Sequence, residues 1–110
     1  ADRFSAVALR VPTLNVSTML LTATVKTQCT AEEINRCFAE AAKTRLTGIL
    51  DFTTQPLVSC DFNHDDHSCI VDGSQTSVCN KLVNIMSWFD NEWGYANRML
   101  DTACTMFAAG

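Results

Sequence analysis

Two stretches near the start of the chain have the hydrophobic spacing of β-strands. In residues 4–13 both alternating faces are largely apolar, which predicts a strand covered on both sides and ended by Pro12. In residues 14–26 one face is apolar and the other is rich in threonine. This second pattern predicts a strand of an antiparallel sheet with one wetter side.

The clearest helix signal begins at Thr30. Thr30 and Glu33 are spaced as a capping box, in which each side chain accepts a hydrogen bond from the other residue's backbone N–H. The apolar positions that follow have helical spacing, and they are Ile34, Cys37, Phe38, Ala41 and Ala42. We predict a helix that packs this stripe against a sheet and stops before Gly48.

Shorter apolar runs divide the second half of the chain. Residues 48–52, 57–62, 75–78 and 82–89 predict strands, and Asp72 with Gly73 predicts a turn. Residues 92–109 predict a closing helix, with Met99, Leu100, Ala103 and Phe107 at helical spacing. The predicted fold class is α+β, a mostly antiparallel sheet with helices on one face plus a C-terminal helix.

Composition excludes several classes of protein. The chain has 110 residues, of which 47% are hydrophobic and 18% charged, values typical of one globular domain or part of one. A net charge of −4 without a basic stripe argues against a nucleic-acid partner. No apolar run approaches the roughly 20 residues that span a bilayer, and the first residues lack a signal-peptide layout. We expect a cytoplasmic protein without a membrane partner.

The six cysteines have no Cys-x-x-Cys pair, and they are residues 29, 37, 60, 69, 79 and 104. Because no signal peptide is apparent, we expect reduced thiols, with Cys37 and Cys104 buried on helix faces. Four possible zinc ligands lie close together in the sequence, and they are Cys60, His64, His67 and Cys69. Their spacing is not that of a usual zinc finger and their neighbours are acidic, so we predict a solvated loop and no metal site.

Two features leave a structural and a functional interpretation open. The turn of residues 87–98, Ser-Trp-Phe-Asp-Asn-Glu-Trp-Gly-Tyr-Ala-Asn-Arg, either caps the last helix or holds the polar edge of a ligand. Arg10 is either a solvated or ion-paired surface arginine or an anion clamp, since a guanidinium presents a fixed fork to phosphate. No Gly-rich phosphate loop and no Gly-x-Ser-x-Gly elbow is present.

Four segments resemble one known family, in that family's order. They are the run from Ala8 to Ser17 with its Arg-Val-Pro-Thr motif, the capping-box helix, residues 48–68, and the turn with the closing helix. The family comprises the glyceraldehyde-3-phosphate dehydrogenases and the related erythrose-4-phosphate dehydrogenases. The resemblance covers essentially the whole chain, residues 1–110, and implies the C-terminal portion of the catalytic domain.

The resemblance implies roles for three residues. Arg10 matches the arginine that binds a phosphate of the substrate or the attacking inorganic phosphate. Asn91 matches the asparagine whose amide holds the nicotinamide carboxamide of NAD, and Tyr95 matches the aromatic beside the nicotinamide ring. It also implies a phosphorylated aldehyde as substrate, a homo-oligomer, and a closing helix that docks away from the sheet.

Within the family, several runs resemble the erythrose-4-phosphate enzymes. They are Asp2-Arg3-Phe4, DFNHDDHS, IVDGSQT at 70–76 and ANRMLDT at 96–102. Three positions depart from that pattern: Asp66 stands where proline is usual, Cys69 where a small residue is usual, and Tyr95 is commoner in the glyceraldehyde-3-phosphate enzymes. The resemblance therefore leaves both substrates open.

The family's nucleophilic cysteine motif and its NAD-binding Rossmann domain have no counterpart in this sequence. No catalytic residue is assigned here, and we expect the chain to be an inactive fragment of a longer NAD-dependent oxidoreductase. The alternative is a non-catalytic remnant that acts as a structural or interaction module.

Overall fold

The computed structural model describes residues 3–110, which form one sheet and two helices. The elements in chain order are β1 (Ser17–Thr24), α1 (Ala31–Lys43), β2 (Leu50–Thr53), a 3-10 helix (Ser59–Phe62), β3 (Cys69–Cys79), β4 (Leu82–Phe89) and α2 (Asn91–Ala109). The fold class is α+β, as the sequence predicts.

The strands lie in the order β1-β4-β3-β2. β4 is antiparallel to both of its neighbours, β1 and β3, whereas β2 joins the opposite edge in parallel with β3. The prediction of a mostly antiparallel sheet is therefore confirmed. The pairing of Ser17 with Phe89 brings the residues before β1 next to those after β4, and this juxtaposition builds the site described below.

Adjacent residues of β3 face opposite sides of the sheet, so each side has its own core. On one side Val71 packs with Leu50 and with Ala41 of α1. On the other side Ile70 packs with Val16 and Phe62, and the Phe62 ring stacks on Trp88 with centroids 5.4 Å apart. The predicted packing of the capping-box helix on the sheet is confirmed.

The capping box itself forms as predicted. The Glu33 N–H donates to the Thr30 hydroxyl, and the Thr30 N–H donates to the Glu33 carboxylate at 2.9 Å. The stripe of α1 is narrower than predicted, however, because Cys37 is exposed. Cys104 is exposed as well, so the prediction that both thiols are buried is wrong; all six cysteines are free thiols.

The predicted strand of residues 4–13 does not form. These residues have no regular secondary structure, and Phe4, Val7 and Leu9 are each more than four-fifths exposed. Apolar alternation gives a segment the propensity to be a strand, but a strand also needs a neighbour to bond with. No strand of residues 3–110 lies beside it.

Two further predictions fail locally. Residues 57–62 end in a 3-10 helix instead of a strand, with the Asp61 carboxylate accepting the N–H of Val58. Asp72 and Gly73 lie inside β3, where the pairing with β4 shifts register between Asp72 and Ser77. A Cβ at Gly73 would collide with the Phe52 ring, so a larger residue there would have to displace that side chain.

α2 has no extensive contact with any strand among residues 3–110, in agreement with the predicted docking away from the sheet. Met99, Leu100 and Phe107 are all more than half exposed on it. Neither helix of the described residues is long and apolar enough to span a membrane.

Candidate functional site

The site centres on Asp90, which lies between the end of β4 and the start of α2. Its Oδ1 accepts hydrogen bonds from the N–H groups of Glu92, at 3.2 Å, and Trp93, at 3.0 Å. These are two of the first N–H groups of the helix, which have no partner within it. The turn therefore caps α2 through the carboxylate of Asp90.

The second carboxylate oxygen of Asp90 has different partners. Oδ2 accepts from the side-chain amide of Asn15 at 2.8 Å and from the backbone N–H of His64 at 3.0 Å. Asn15 precedes β1 and His64 follows the 3-10 helix, so one side chain joins three separate segments of the chain. Asp90 is only 1% exposed, and its four hydrogen bonds satisfy it inside the protein.

The environment of Asp90 keeps it charged. Burial is the largest single influence and raises its pKa, because a carboxylate is harder to solvate inside a protein. The hydrogen bonds from Trp93, His64, Asn15 and Glu92 act the other way and together outweigh burial. The pKa of Asp90 is therefore lowered, and the group is an anion at neutral pH.

Two residues beside this carboxylate adopt left-handed backbone conformations. Val16 has a φ of 71° and follows Asn15, and His64 has a φ of 60°. Such a φ is unusual outside glycine, and for a β-branched valine it costs about 1–3 kcal/mol. The buried Val16 side chain packs on Phe62 and Ile70, which offsets this cost and holds Asn15 in place.

Asn91 and Tyr95 lie on the first two turns of α2. Both side chains are exposed, and their spacing of four residues places them on one face of the helix. The structure thus brings together the two residues that the resemblance relates to the nicotinamide.

Arg98 fixes α2 to the segments beneath it. Its Nη1 donates to the backbone oxygens of Gly48, at 3.1 Å, and Asp66, at 3.3 Å, and to the hydroxyl of Ser68. Its Nε donates to Asp101 on the same helix at 2.8 Å. Because a guanidinium is planar and rigid, these bonds restrict the rotation of α2 about its own axis.

A cavity of about 260 Å³ opens beside the start of α2, lined by Asn15, His64, Asp90, Glu92, Trp93 and Ala96. The imidazole of His64 contacts the Trp93 indole with ring centroids 4.7 Å apart. The cavity offers an aromatic wall and several polar groups but no thiol. Its chemistry is therefore suited to binding and orientation.

Arg10 neither lines this cavity nor makes any of the hydrogen bonds around Asp90. It is exposed in the irregular segment before β1, and none of the ion pairs among residues 3–110 includes it. The structure does not bring Arg10 together with Asn91 and Tyr95 through any hydrogen bond of the described residues.

The four zinc ligands considered from the sequence do not converge. Among residues 3–110, the one group of three potential metal-binding side chains within reach of one another is Asp65, Asp66 and His67. His67 Nδ1 lies 2.8 Å from the Asp65 carboxylate and 3.4 Å from that of Asp66. The imidazole of His67 therefore lies within ion-pair distance of both carboxylates.

Sequence reasoning missed Asn15 and His64 as members of the site. Asn15 lies 75 positions from Asp90 and His64 lies 26 positions from it. The contributing group of His64 is its backbone N–H, which carries no residue-specific signal. For Asn15 the one available signal is an amide side chain at the start of the strand predicted for residues 14–26.

One family model matches this chain, and its description is glyceraldehyde 3-phosphate dehydrogenase, C-terminal domain. The match covers residues 1–91, which include α1, the whole sheet and the first residue of α2. Arg10 and Asn91 fall within the matched residues, and Tyr95 lies beyond them.

Proposed function

The chain belongs to the family of glyceraldehyde 3-phosphate dehydrogenase C-terminal domains, and from that premise we propose that residues 1–110 form the C-terminal part of a catalytic domain. The proposed parent is a longer NAD-dependent oxidoreductase that acts on a phosphorylated aldehyde. Its nucleophile and its dinucleotide-binding domain are supplied by other segments. The proposed assembly is a homo-oligomer in the cytoplasm.

The observation that carries the proposal is the arrangement of Asn91 and Tyr95 on a firmly held helix start. Both side chains are exposed on one face of α2, and Glu92 and Trp93, which lie between them in the sequence, line a cavity of about 260 Å³. A carboxamide such as that of Asn91 pairs with another carboxamide through one donor and one acceptor. The amide of Asn91 therefore suits the nicotinamide carboxamide, and the Tyr95 ring suits the face of the nicotinamide.

When bound, NAD accepts a hydride from the substrate, and that transfer needs the ring in one orientation. Asn91 supplies the orientation by fixing the carboxamide, and Tyr95 restricts the tilt of the ring. Neither residue exchanges a proton in this proposal. In this proposal the chain thus contributes to the reaction by positioning the nicotinamide ring.

Arg10 is proposed to bind the phosphate of the substrate or the attacking inorganic phosphate. Its guanidinium is exposed and is not engaged in an ion pair with residues 3–110. A doubly charged phosphate is best matched by a planar cation that donates two parallel hydrogen bonds.

For the substrate itself we propose erythrose 4-phosphate, with glyceraldehyde 3-phosphate as the alternative. The runs that resemble the erythrose-type enzymes are residues 2–4, 61–68, 70–76 and 96–102. Asp66, Cys69 and Tyr95 depart from that pattern. Comparing kcat/KM for the two aldehydes distinguishes the two assignments.

The first test is the reading frame upstream of Ala1. An in-frame dinucleotide-binding segment followed by a nucleophilic cysteine motif supports the oxidoreductase. An upstream frame without them favours the structural or interaction module. The 110-residue chain by itself is expected to form no NADH from erythrose 4-phosphate above a buffer blank.

The second test replaces Asn91 by alanine in the longer enzyme. Freeing the nicotinamide to rotate is expected to lower kcat by roughly 10- to 100-fold, with a smaller change in the KM for NAD. Asn97→Ala is the matched control, because the Asn97 amide donates to the Trp93 carbonyl oxygen within the same helix. An unchanged kcat in Asn91→Ala would leave the turn with a capping role alone.

A further inference from the structure

The two oxygens of the Asp90 carboxylate have separate structural tasks. Oδ1 binds only N–H groups of α2, those of Glu92 and Trp93. Oδ2 binds only groups outside α2, the amide of Asn15 and the backbone N–H of His64. One oxygen therefore caps the helix and the other attaches the capped end to the rest of the fold.

We infer that Asp90 is a positioning residue for Asn91, acting through the attachment of its Oδ2 to Asn15 and His64. The inference rests on the proposed function, in which the Asn91 amide holds the nicotinamide carboxamide. Asp90 itself touches neither cofactor nor substrate in this account.

The attachment is rigid on both sides. On the helix side, Asn91 is the residue directly after Asp90, and its backbone lies between the cap and the first turn. On the other side, Asn15 donates a second hydrogen bond, to the side-chain Oδ1 of Asn63 at 2.6 Å. This bond joins the two segments that Oδ2 contacts, so they form one support.

The backbone of that support is constrained as well. Val16 and His64, whose φ angles are both positive, have few alternative conformations that keep their neighbours in place. A support built in this way transmits little movement to Asn91. An amide that must orient a nicotinamide benefits because rates respond steeply to small errors in geometry.

Asp90→Asn separates the two tasks of the carboxylate. Asparagine caps helices as well as aspartate does, and its single oxygen retains the bonds to Glu92 and Trp93. Its NH2 group then faces the Asn15 amide and the His64 N–H, donor against donor. The cap is kept and the attachment is lost, without a change in side-chain volume.

Amide hydrogen exchange on the full chain checks this separation without any cofactor. In Asp90→Asn the His64 N–H is expected to lose protection, while the Trp93 N–H keeps it. Protection of the His64 N–H equal to that of the unmodified chain would overturn the attachment. Asn15→Ala is the second variant, because it weakens the same support and leaves Asp90 intact.

A double-mutant cycle in the longer enzyme tests the action through Asn91. Asp90→Asn alone is expected to lower kcat by roughly ten-fold with little change in the KM for NAD. In an Asn91→Ala background the same substitution is expected to lower kcat by less than about two-fold, because the group that it positions is gone. Glu40→Gln, at an exposed carboxylate of α1, serves as the control with unchanged kcat.

The outcomes distinguish the two proposals. The inference is overturned if the losses of kcat from Asp90→Asn and Asn91→Ala simply add in the double variant. It is also overturned if Asp90→Asn leaves kcat unchanged, and in both cases the role of Asn91 stands. An unchanged kcat in Asn91→Ala would remove the proposed function and this inference with it.

Discussion

Gly94 of α2 lies so close to the backbone of His67 that a Cβ on Gly94 would sit 2.9 Å from the His67 carbonyl oxygen. Gly94 is the one buried residue of this helix. The helix therefore meets the loop of residues 63–68 backbone against backbone, one turn after Asp90. Any side chain at position 94 forces the two apart.

Gly94→Ala is expected to destabilise the chain by about 1–3 kcal/mol. The added Cβ would push against a backbone carbonyl, which moves away less easily than a flexible side chain would. The direction of this stability change is informative, because alanine is favoured over glycine inside a helix by about 1 kcal/mol. Helix propensity alone would therefore make Gly94→Ala stabilising. Urea unfolding followed by tryptophan fluorescence measures the change. Thr102→Ala, on the exposed side of the same helix, controls for helix propensity, and a stabilised Gly94→Ala would contradict the close approach.

Arg98→Lys is expected to destabilise the chain by about 1–3 kcal/mol although the charge is kept. An ammonium group cannot reach Asp101 and the oxygens of Gly48 and Ser68 at the same time, as the guanidinium does. Arg36→Lys on the exposed surface of α1 is the matched control, with a change within about 0.5 kcal/mol. Equal losses of stability in the two variants would mean that Arg98 is an ordinary surface arginine.

The lowered pKa of Asp90 predicts a pH dependence of stability. Because the folded-state pKa is below the unfolded value of about 3.9, the stabilisation by this group is complete above that pH. It is lost as the pH falls through the lower, folded-state pKa. The difference in unfolding free energy between the unmodified chain and Asp90→Asn should thus be constant from pH 7 to about 5 and shrink below about 4.

Urea titrations of both proteins at several pH values measure that difference. The contributions of the other carboxylates to the pH dependence cancel, because those groups titrate in both proteins. A difference that stays constant down to about pH 2 would mean that the ionised form of Asp90 contributes nothing specific.

Arg10→Ala in the longer enzyme is expected to lower kcat/KM for the phosphorylated aldehyde by roughly 10- to 100-fold, the effect of losing one charge-assisted contact. The loss should be smaller for an unphosphorylated aldehyde, which has no anion to bind. Arg45→Ala, at another exposed arginine, is the control. Equal losses for both aldehydes would rule out the phosphate-binding role of Arg10.

Local signals in the sequence are sufficient to predict α1 and the capping of α2. The Thr30–Glu33 capping box and the cap by Asp90 each involve residues within three positions of one another, so their chemistry is visible in the sequence. Residues 4–13 gave an equally clear strand pattern, but the pattern contains no information on whether another strand is available to pair with them. Propensity predicts an element only where tertiary contacts agree with it.

The attachment of Asp90 to Asn15 and His64 could not be predicted from the sequence, for a related reason. It depends on the pairing of β1 with β4, which brings position 15 next to position 90. It also uses a backbone N–H, a group that every residue except proline possesses. Asn91 and Tyr95 are identified by resemblance to a family, whereas the way in which the helix start is held is visible only in the folded structure.

The sheet order also has a consequence for the synthesis of the chain. Among the four strands of this sheet, β1 is made first, whereas β4, its neighbour in the sheet, is made last. A chain growing from its N-terminus therefore carries β1, with Leu20 and Leu21, unpaired until residues 82–89 have left the ribosome. Pairings over such a sequence separation form slowly, which gives the nascent strand time to meet other chains or chaperones.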